Sequence, residues 1–286
     1  MVWLFCFLSC KNKSYLSTAN KGRSLLWEIS GKGLNEPSYF FGTMHLMCAE
    51  DAELTETIKA VIRDVEQIYL EVDLDNASEL LSGLLDLRSK QGLTLNKALS
   101  PDDYNKVKQF FEKYQPTVPF AMLERQPPLM ISSMLFELLL PCEQKNGIEL
   151  KIIDEAYKEN KETKGLETLE FQASIFDSIP YTEQANELVK AIDSLEKSRT
   201  LMNEMIAAYK DQDIDKLFTL SFNEESGINK YMDFLLYRRN QNWVNQFPAL
   251  ANNCTLFAVG AGHLGGDKGV LQMLREHGYT VRAINN

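Results

Sequence analysis

"TLFAVGAGHLGGDKG", residues 255–269, is an apolar run that breaks into a glycine-rich turn around His263. The same form stands near the other end of the chain. There "SYFFGTMH", residues 38–45, is an apolar run followed by Gly42, two residues and His45. The chain has only three histidines, and two of them follow a glycine by three positions at the close of such a run. Short β-prone runs bounded by turn formers read as strands. Each end of the chain therefore supplies a strand that terminates in Gly-x-x-His.

Working outward from these strands fixes the fold class. "SLLWEISGKGLNEPSYFFGTMH" reads as a hairpin, two β-prone runs around a turn-rich "SGKGLNEPS". "AELTETIKAVIRDVEQ" sets Leu54, Ile58, Val61, Ile62 and Val65 at helical spacing. "IYLEVDL" is then a strand that closes on acids. Strand, helix, strand predicts a βαβ unit with parallel pairing. The last unit is strand "TLFAVG", helix "VLQMLREHG" and strand "YTVRAI".

The middle reads as helical. "PDDYNKVKQFFEKY" has Ser100 as cap and Pro101 at its first position. "PPLMISSMLFELLL", "GIELKIIDEAYKEN" and "INKYMDFLLYRRNQNWVNQF" carry further helices. "KETKGLETLEFQASIFDSI" reads as a short strand ending near Gly165, then a helix. The expected architecture is an α/β fold. Its mixed, largely parallel central sheet is formed from both chain ends, with a helical insertion over about residues 77–246. No Pro/Gly/Ser-rich linker marks a boundary, so residues 25–286 are expected to be a single domain.

Net charge is −10 over 286 residues. An acidic surface repels phosphate backbones, so nucleic acid is excluded as the expected partner. No apolar run is long enough for a membrane-spanning helix. "MVWLFCFLSC" is apolar up to small Ser9 and Cys10, and polar "KNKSYLSTANKG" follows. Residues 1–24 therefore read as a lipoprotein-type signal and tether, with Cys10 as the lipid anchor and the only expected contact with a membrane. A buried N-terminal strand is the alternative. Export would place the chain in an oxidising compartment, periplasmic or anchored at the outer membrane. Cys48 in "LMCAED" and Cys142 in "PCEQKNG" would then pair, and Cys254 would be a core residue; unpaired thiols are the alternative.

In an open α/β sheet, ligands bind beyond the carboxyl ends of the strands. His45, Glu71 and His263 each close an apolar run. Two imidazoles and a carboxylate suit a divalent metal ion such as Mn, Co or Zn and leave positions open for water or substrate. Gly42 and Gly260 would let backbone pass close to a bound group. Gly260, Gly262, Gly265 and Gly266 would add N–H groups for an anion or an oxyanion. His277 sits near a helix C-terminus and reads as structural. Glu71 shares one side of its strand with Asp73, and a solvated strand end would explain these acids equally well. Glu167 follows a glycine turn at the start of a helix, where capping competes with a functional role. Arg238 and Arg239 are adjacent on a helix, so at most one points into a site.

These motifs together resemble the TraB/GumN family (TraB/PrgY/GumN), which is related to the Tiki proteases. The resemblance runs through "LLWEISG…PSYFFGTMH", "IYLEVD", "GIELKIIDEAYKENKETKGLETLEFQ", "RRNQNW" and "FAVGAGHLGGDKGVLQMLREHGYTV". It carries Gly42, His45, Glu71, Glu167, Gln172, Arg239, Asn240, Gly260 and His263. Glu149 stands where the family more often has Asp. The resemblance implies a fold like that of erythromycin esterase and the haem-binding ChaN proteins. It also implies a metal-dependent protease that needs both Gly-x-x-His motifs and a glutamate. The expected function is a metal-dependent hydrolase of the cell envelope acting on a peptide or other small substrate. His45, His263 and Glu71 would be ligands, with Glu71, Glu167 and Arg239 catalytic. A non-catalytic protein that binds haem or a small ligand is the alternative, and a lipid-anchored scaffold with a degenerate site is a third.

Overall fold

A computed structural model of the chain describes residues 23–75, 92–114, 119–222 and 229–286. Cys6, Cys10 and nearly all of the expected signal segment lie outside the described residues. Ser24, inside the predicted tether, already belongs to the fold. It is fully buried, and its hydroxyl bonds the carbonyls of Leu26 at 2.8 Å and Ile284 at 2.6 Å.

The main sheet has the strands β1 (Leu26–Ser30), β2 (Ser38–Thr43), β4 (Gln67–Val72), β6 (Thr163–Glu167), β7 (Thr255–Gly260) and β8 (Thr280–Ile284). Their order is β6-β4-β7-β2-β1-β8. β1 runs antiparallel to both its neighbours, and the β2–β7, β7–β4 and β4–β6 pairings are all parallel. The hairpin between β1 and β2 turns at Gly31, Lys32 and Gly33, all three at positive φ, which glycine adopts without a Cβ penalty. β2 is buried along its whole length and β7 along nearly all of it, as expected of central strands covered on both faces.

The βαβ reading of the N-terminal unit needs one correction. β2 and β4 are parallel but not adjacent, because β7 from the far end of the chain lies between them. Side chains of Phe40, Phe257 and Tyr69 stack across β2, β7 and β4, with ring centroids 4.9 and 5.7 Å apart. That aromatic row adds cross-strand contacts that favour β7 between β2 and β4. The short strand expected in the middle of the chain is present as β6, an edge strand of the main sheet; only its end needs correction, because it runs through Glu167 rather than stopping near Gly165.

The principal helices are α1 (Glu56–Asp64), α2 (Pro101–Tyr114), α3 (Pro128–Leu139), α4 (Ile148–Lys158), α5 (Leu169–Asp177), α6 (Tyr181–Asp193), α7 (Leu195–Lys210), α8 (Ile214–Ser221), α9 (Arg238–Leu250) and α10 (Val270–Glu276). As expected, Ser100 caps α2 by accepting from the Asp103 amide, with Pro101 first in the helix. The helical region has an apolar cluster of its own, built on Val107, Phe111, Ile131, Leu135, Leu139 and Leu188, apart from the core that packs on the sheet. Among the described residues no helix is long and apolar enough to cross a membrane.

A two-stranded sheet, β3 (Met47–Cys48) with β5 (Lys145–Asn146), joins the segment after β2 to the segment before α4. The predicted pair Cys48 and Cys142 is bonded there, with Cα atoms 5.8 Å apart. Cys254, expected as a core residue, is fully buried. The Cys48–Cys142 bond closes a loop with a sequence separation of 94. Cys142→Ser is expected to lower the unfolding free energy by about 2–5 kcal/mol. Urea unfolding of the variant and wild type, both under oxidising conditions, checks this; equal midpoints would contradict it.

Candidate active site

Strand register brings the expected residues together. Thr43 lies opposite Gly260, and Val72 lies opposite Glu167, so four strands end level at one edge of the sheet. His45 follows β2, Glu71 is in β4, Glu167 ends β6 and His263 follows β7. Gly260 is the centre of the group. A Cβ there would lie 3.2 Å from Glu71 Oε1, 3.6 Å from His45 Nε2 and 3.7 Å from His263 Cδ2. Its N–H donates to Glu71 Oε1 at 2.7 Å. Any side chain at this position would fill the space on which the two imidazoles and the carboxylate converge.

The other predicted glycines do not face this space. A Cβ on Gly42 would meet Ala261 and Leu264, and one on Gly262 would meet Phe222 and Ser221. Gly265 packs against Ile214 and Phe218 of α8 in the same way. The glycines after β7 therefore let the His263 turn sit down on α8.

Each histidine is held by a partner at one ring nitrogen, which aims the other. His263 is buried, and its Nδ1 is 2.6 Å from Asn240 Oδ1. Asn240 Nδ2 donates to the Lys268 carbonyl at 2.8 Å, and this fixes Oδ1 as the acceptor. The proton is therefore on Nδ1, and Nε2 carries a lone pair. That lone pair accepts from Arg239 Nη1 at 3.1 Å. Burial, helped by Arg239 and His45, pushes His263 down to about 3 against the pull of Glu71.

His45 Nδ1 is 2.6 Å from Glu149 Oε1, at the start of α4. Desolvation opposes charge on the ring, but Glu149 outweighs it and raises His45 toward about 9. The ring stands at the mouth of the site, with 66% of its side-chain surface accessible, so solvent screens this pair more than the buried ones. The backbone of the His45 segment is pinned to α4, because Ile148 N donates to the Met44 carbonyl at 3.1 Å. The disulfide and the β3–β5 pair thus hold His45 against Glu149.

Arg239 ties the carboxylates together. Its Nη2 donates to Glu71 Oε2 at 2.6 Å, and its Nε donates to Glu167 at 3.2 and 3.0 Å. Glu167 also accepts from Trp243 Nε1 at 2.9 Å and Gln172 Nε2 at 3.3 Å, and 1% of its side-chain surface is accessible. It is a buried acceptor that positions Arg239. It is not the helix cap; Thr168 fills that role. Arg239, Trp243 and Phe247 recur at a spacing of four along α9 and form its buried stripe, with Asn240 beside Arg239. Arg238 points outward to Asp233 at 2.6 Å, so one of the two adjacent arginines enters the site, as expected. A π-helical turn, Asp233–Tyr237, leads directly into α9. Desolvation works to raise the Glu71 carboxyl, but His263, Arg239, His45 and the Gly260 amide overcome it and hold Glu71 well below the usual carboxylate range. With His263 neutral, Arg239 is the nearest lasting source of that positive field. Asp73 accepts the amide of Asp75 at 3.3 Å in the turn after β4.

Glu149 and Asn240 acquire roles that composition and spacing gave no reason to assign. Both lie on helices remote in sequence from the histidine each one orients.

A model of the TraB/PrgY/gumN family matches residues 25–283. The chain belongs to the TraB/PrgY/gumN family. It is similar to the Danio rerio protein named Metalloprotease TIKI2, with 23% identity covering 90% of this chain and 60% of that protein. It is likewise similar to the proteins named Metalloprotease TIKI1 from Xenopus tropicalis and Homo sapiens. Both are 23% identical, cover 96% of this chain, and are themselves covered over 63% and 64% of their lengths. The chain thus spans less than two thirds of the length of these curated relatives. No solved structure matches it.

Two imidazoles and a carboxylate are the right donor types for a divalent ion. The charge also fits. Once His45 has given up its proton, Glu71, Glu149 and Glu167 against Arg239 leave the cluster with two unbalanced negative charges. The donors do not form a closed ligand shell as they stand. Among the described residues no three His, Cys, Asp or Glu side chains are spaced to hold an ion.

The buried neutral state of His263 has a consequence for stability. Its folded pKa is about 3 against an ordinary 6.5, so the unfolded chain binds the extra proton between these values. The contribution is complete above pH 6.5 and is lost as pH falls. Glu71 adds to the loss only below its ordinary 4.5. His45, shifted upward, changes its contribution only above 6.5. In chelator-treated protein, stability should therefore fall by about 1.4 kcal/mol per pH unit from pH 6.5 toward 4.5. His263→Gln should flatten this window in urea titrations at stepped pH.

Proposed function

We propose that the protein is a divalent-metal-dependent hydrolase of the cell envelope acting on peptides, with a site split between the two Gly-x-x-His motifs. The observation that carries the reading is the convergence of His45 Nε2, Glu71 and His263 on the open side of Gly260. The metalloprotease names of the relatives support the reaction class. The Cys48–Cys142 bond supports an oxidising compartment, in keeping with the export and lipid anchoring at Cys10 proposed from the N-terminal sequence.

His45, His263 and Glu71 would hold the ion, which would lower the pKa of a bound water and polarise the scissile carbonyl. Asn240 keeps the proton on Nδ1 of His263, leaving Nε2 as a donor. Glu149 does the same for His45, whose remaining proton must leave before Nε2 can serve. Arg239 and the Gly260 amide keep Glu71 ionised, so it is available as ligand or as proton acceptor.

The test is peptide hydrolysis by chelator-treated protein before and after addition of Mn2+, Co2+ or Zn2+, with wild type and His263→Ala side by side. Activity should depend on the added ion and vanish in the variant. Equal rates in the two proteins would sink the assignment.

A further inference from the structure

We infer that Arg239 is the resident cation of the metal-free site, and that its guanidinium must swing aside for a divalent ion to bind, so that Arg239 sets the metal affinity. This rests on the metal reading above and adds a competitor to it. His263 has one nitrogen lone pair free of its Asn240 bond, at Nε2, and Arg239 Nη1 lies on it at 3.1 Å. A single lone pair cannot accept an N–H and bind an ion together. Glu71 is less restrictive, because a carboxylate has several acceptor sites beyond those used by Arg239, Gln172 and Gly260. The contest is therefore decided at His263. A second cation beside the guanidinium would also be repelled in a buried site.

The surroundings provide for the movement. Nε is bonded to both oxygens of Glu167, and the guanidinium carbon lies 5.0 Å from the centre of the Trp243 ring. These contacts form a pivot that Glu71 and His263 do not control. Nη1 already reaches the Leu235 carbonyl at 3.3 Å, inside the π-helical turn, which gives it an acceptor once His263 is released. Single π turns of this kind recur where helices serve function. Withdrawal would free Nε2 of His263 and one side of Glu71 while Arg239 stays neutralised by Glu167.

The test is Co2+ titration of the chelator-treated full chain, followed by visible d–d absorption, in wild type, Arg239→Lys, Arg239→Gln and His263→Ala. Lysine keeps a positive charge for the buried carboxylates but lacks the planar fork that spans Glu167, Glu71 and His263 at once. If the ion-competent arrangement is a minor state of wild type, Arg239→Lys should bind Co2+ about tenfold tighter or more. Arg239→Gln should do the same where it folds, and His263→Ala should lose the spectrum. Equal or weaker binding by Arg239→Lys than by wild type overturns the inference and leaves the metal reading standing. No Co2+ spectrum in wild type or in either arginine variant removes the metal reading itself. A readout without substitution is the 15N NMR signal of the Arg239 guanidinium in wild type. Zn2+ should shift the Nη resonances, and unchanged resonances at saturating Zn2+ overturn the inference.

Discussion

Arg239→Ala is expected to lower the stability of the metal-free protein by about 3–5 kcal/mol, measured by urea unfolding in the presence of chelator. The guanidinium is the shared partner of Glu71 and Glu167, both buried. Removing it leaves two buried carboxylates without the cation that contacts them both, with only His45 at the mouth of the site still charged, and an uncompensated buried charge costs more than a pair is worth. Arg238 supplies the control from the next position. Its pair with Asp233 is as short, 2.6 Å, but both side chains are more than half exposed. Arg238→Ala should therefore change stability by no more than about 1 kcal/mol. The two variants should also differ in pH response. Without Arg239, Glu71 loses the nearest charge that keeps its pKa low, so protonation relieves the variant as pH falls. The gap from wild type should narrow toward acid pH for Arg239→Ala and stay constant for Arg238→Ala. Equal losses in the two variants would mean that the buried cluster is not held together by Arg239.

The fold was legible where a signal is local. The apolar runs at 38–43 and 255–260 and the helical spacing of Leu54, Ile58 and Val61 are readable from neighbours a few positions apart. So was the meeting of His45, Glu71 and His263, because all three close apolar runs and such runs end at one edge of a parallel sheet. The insertion of β7 between β2 and β4 was not legible, since strand order depends on contacts between residues about two hundred positions apart. Glu167 was misplaced for a related reason. "TKGLE" has the glycine of a turn, yet it lies against Val72 as an edge strand, and tertiary pairing decides that. The family resemblance marks Glu149 and Asn240, but their roles were not legible, because orienting a histidine needs only one oxygen at the right distance. Any of the chain's many polar side chains could provide one, and spacing does not distinguish among them.

Glu71→Gln separates the proposed chemistry from the architecture. Glutamine matches glutamate in shape, and its carbonyl can keep the bond from the Gly260 amide. What it removes is negative charge facing Arg239, His263 and the side of Gly260 on which His45 converges. If Glu71 binds the ion or takes a proton from the attacking water, the variant should lose about 10²–10⁴-fold in kcat/KM for peptide hydrolysis. Circular dichroism should remain that of wild type. The competing view treats the acids after β4 as a solvated strand end, and Asp73→Asn addresses it. Asp73 bonds within its own turn, and its substitution should leave kcat/KM unchanged. A matched loss in Glu71→Gln and Asp73→Asn would point to the local charge of the strand end. A loss confined to Glu71→Gln would point to the one carboxylate that the structure buries beside both Gly-x-x-His motifs. The size of that loss also bears on Arg239. A guanidinium that serves only to balance Glu71 becomes less tightly held once the charge is gone. Metal affinity should then fall less in Glu71→Gln than in His263→Ala, where the contested lone pair itself is missing.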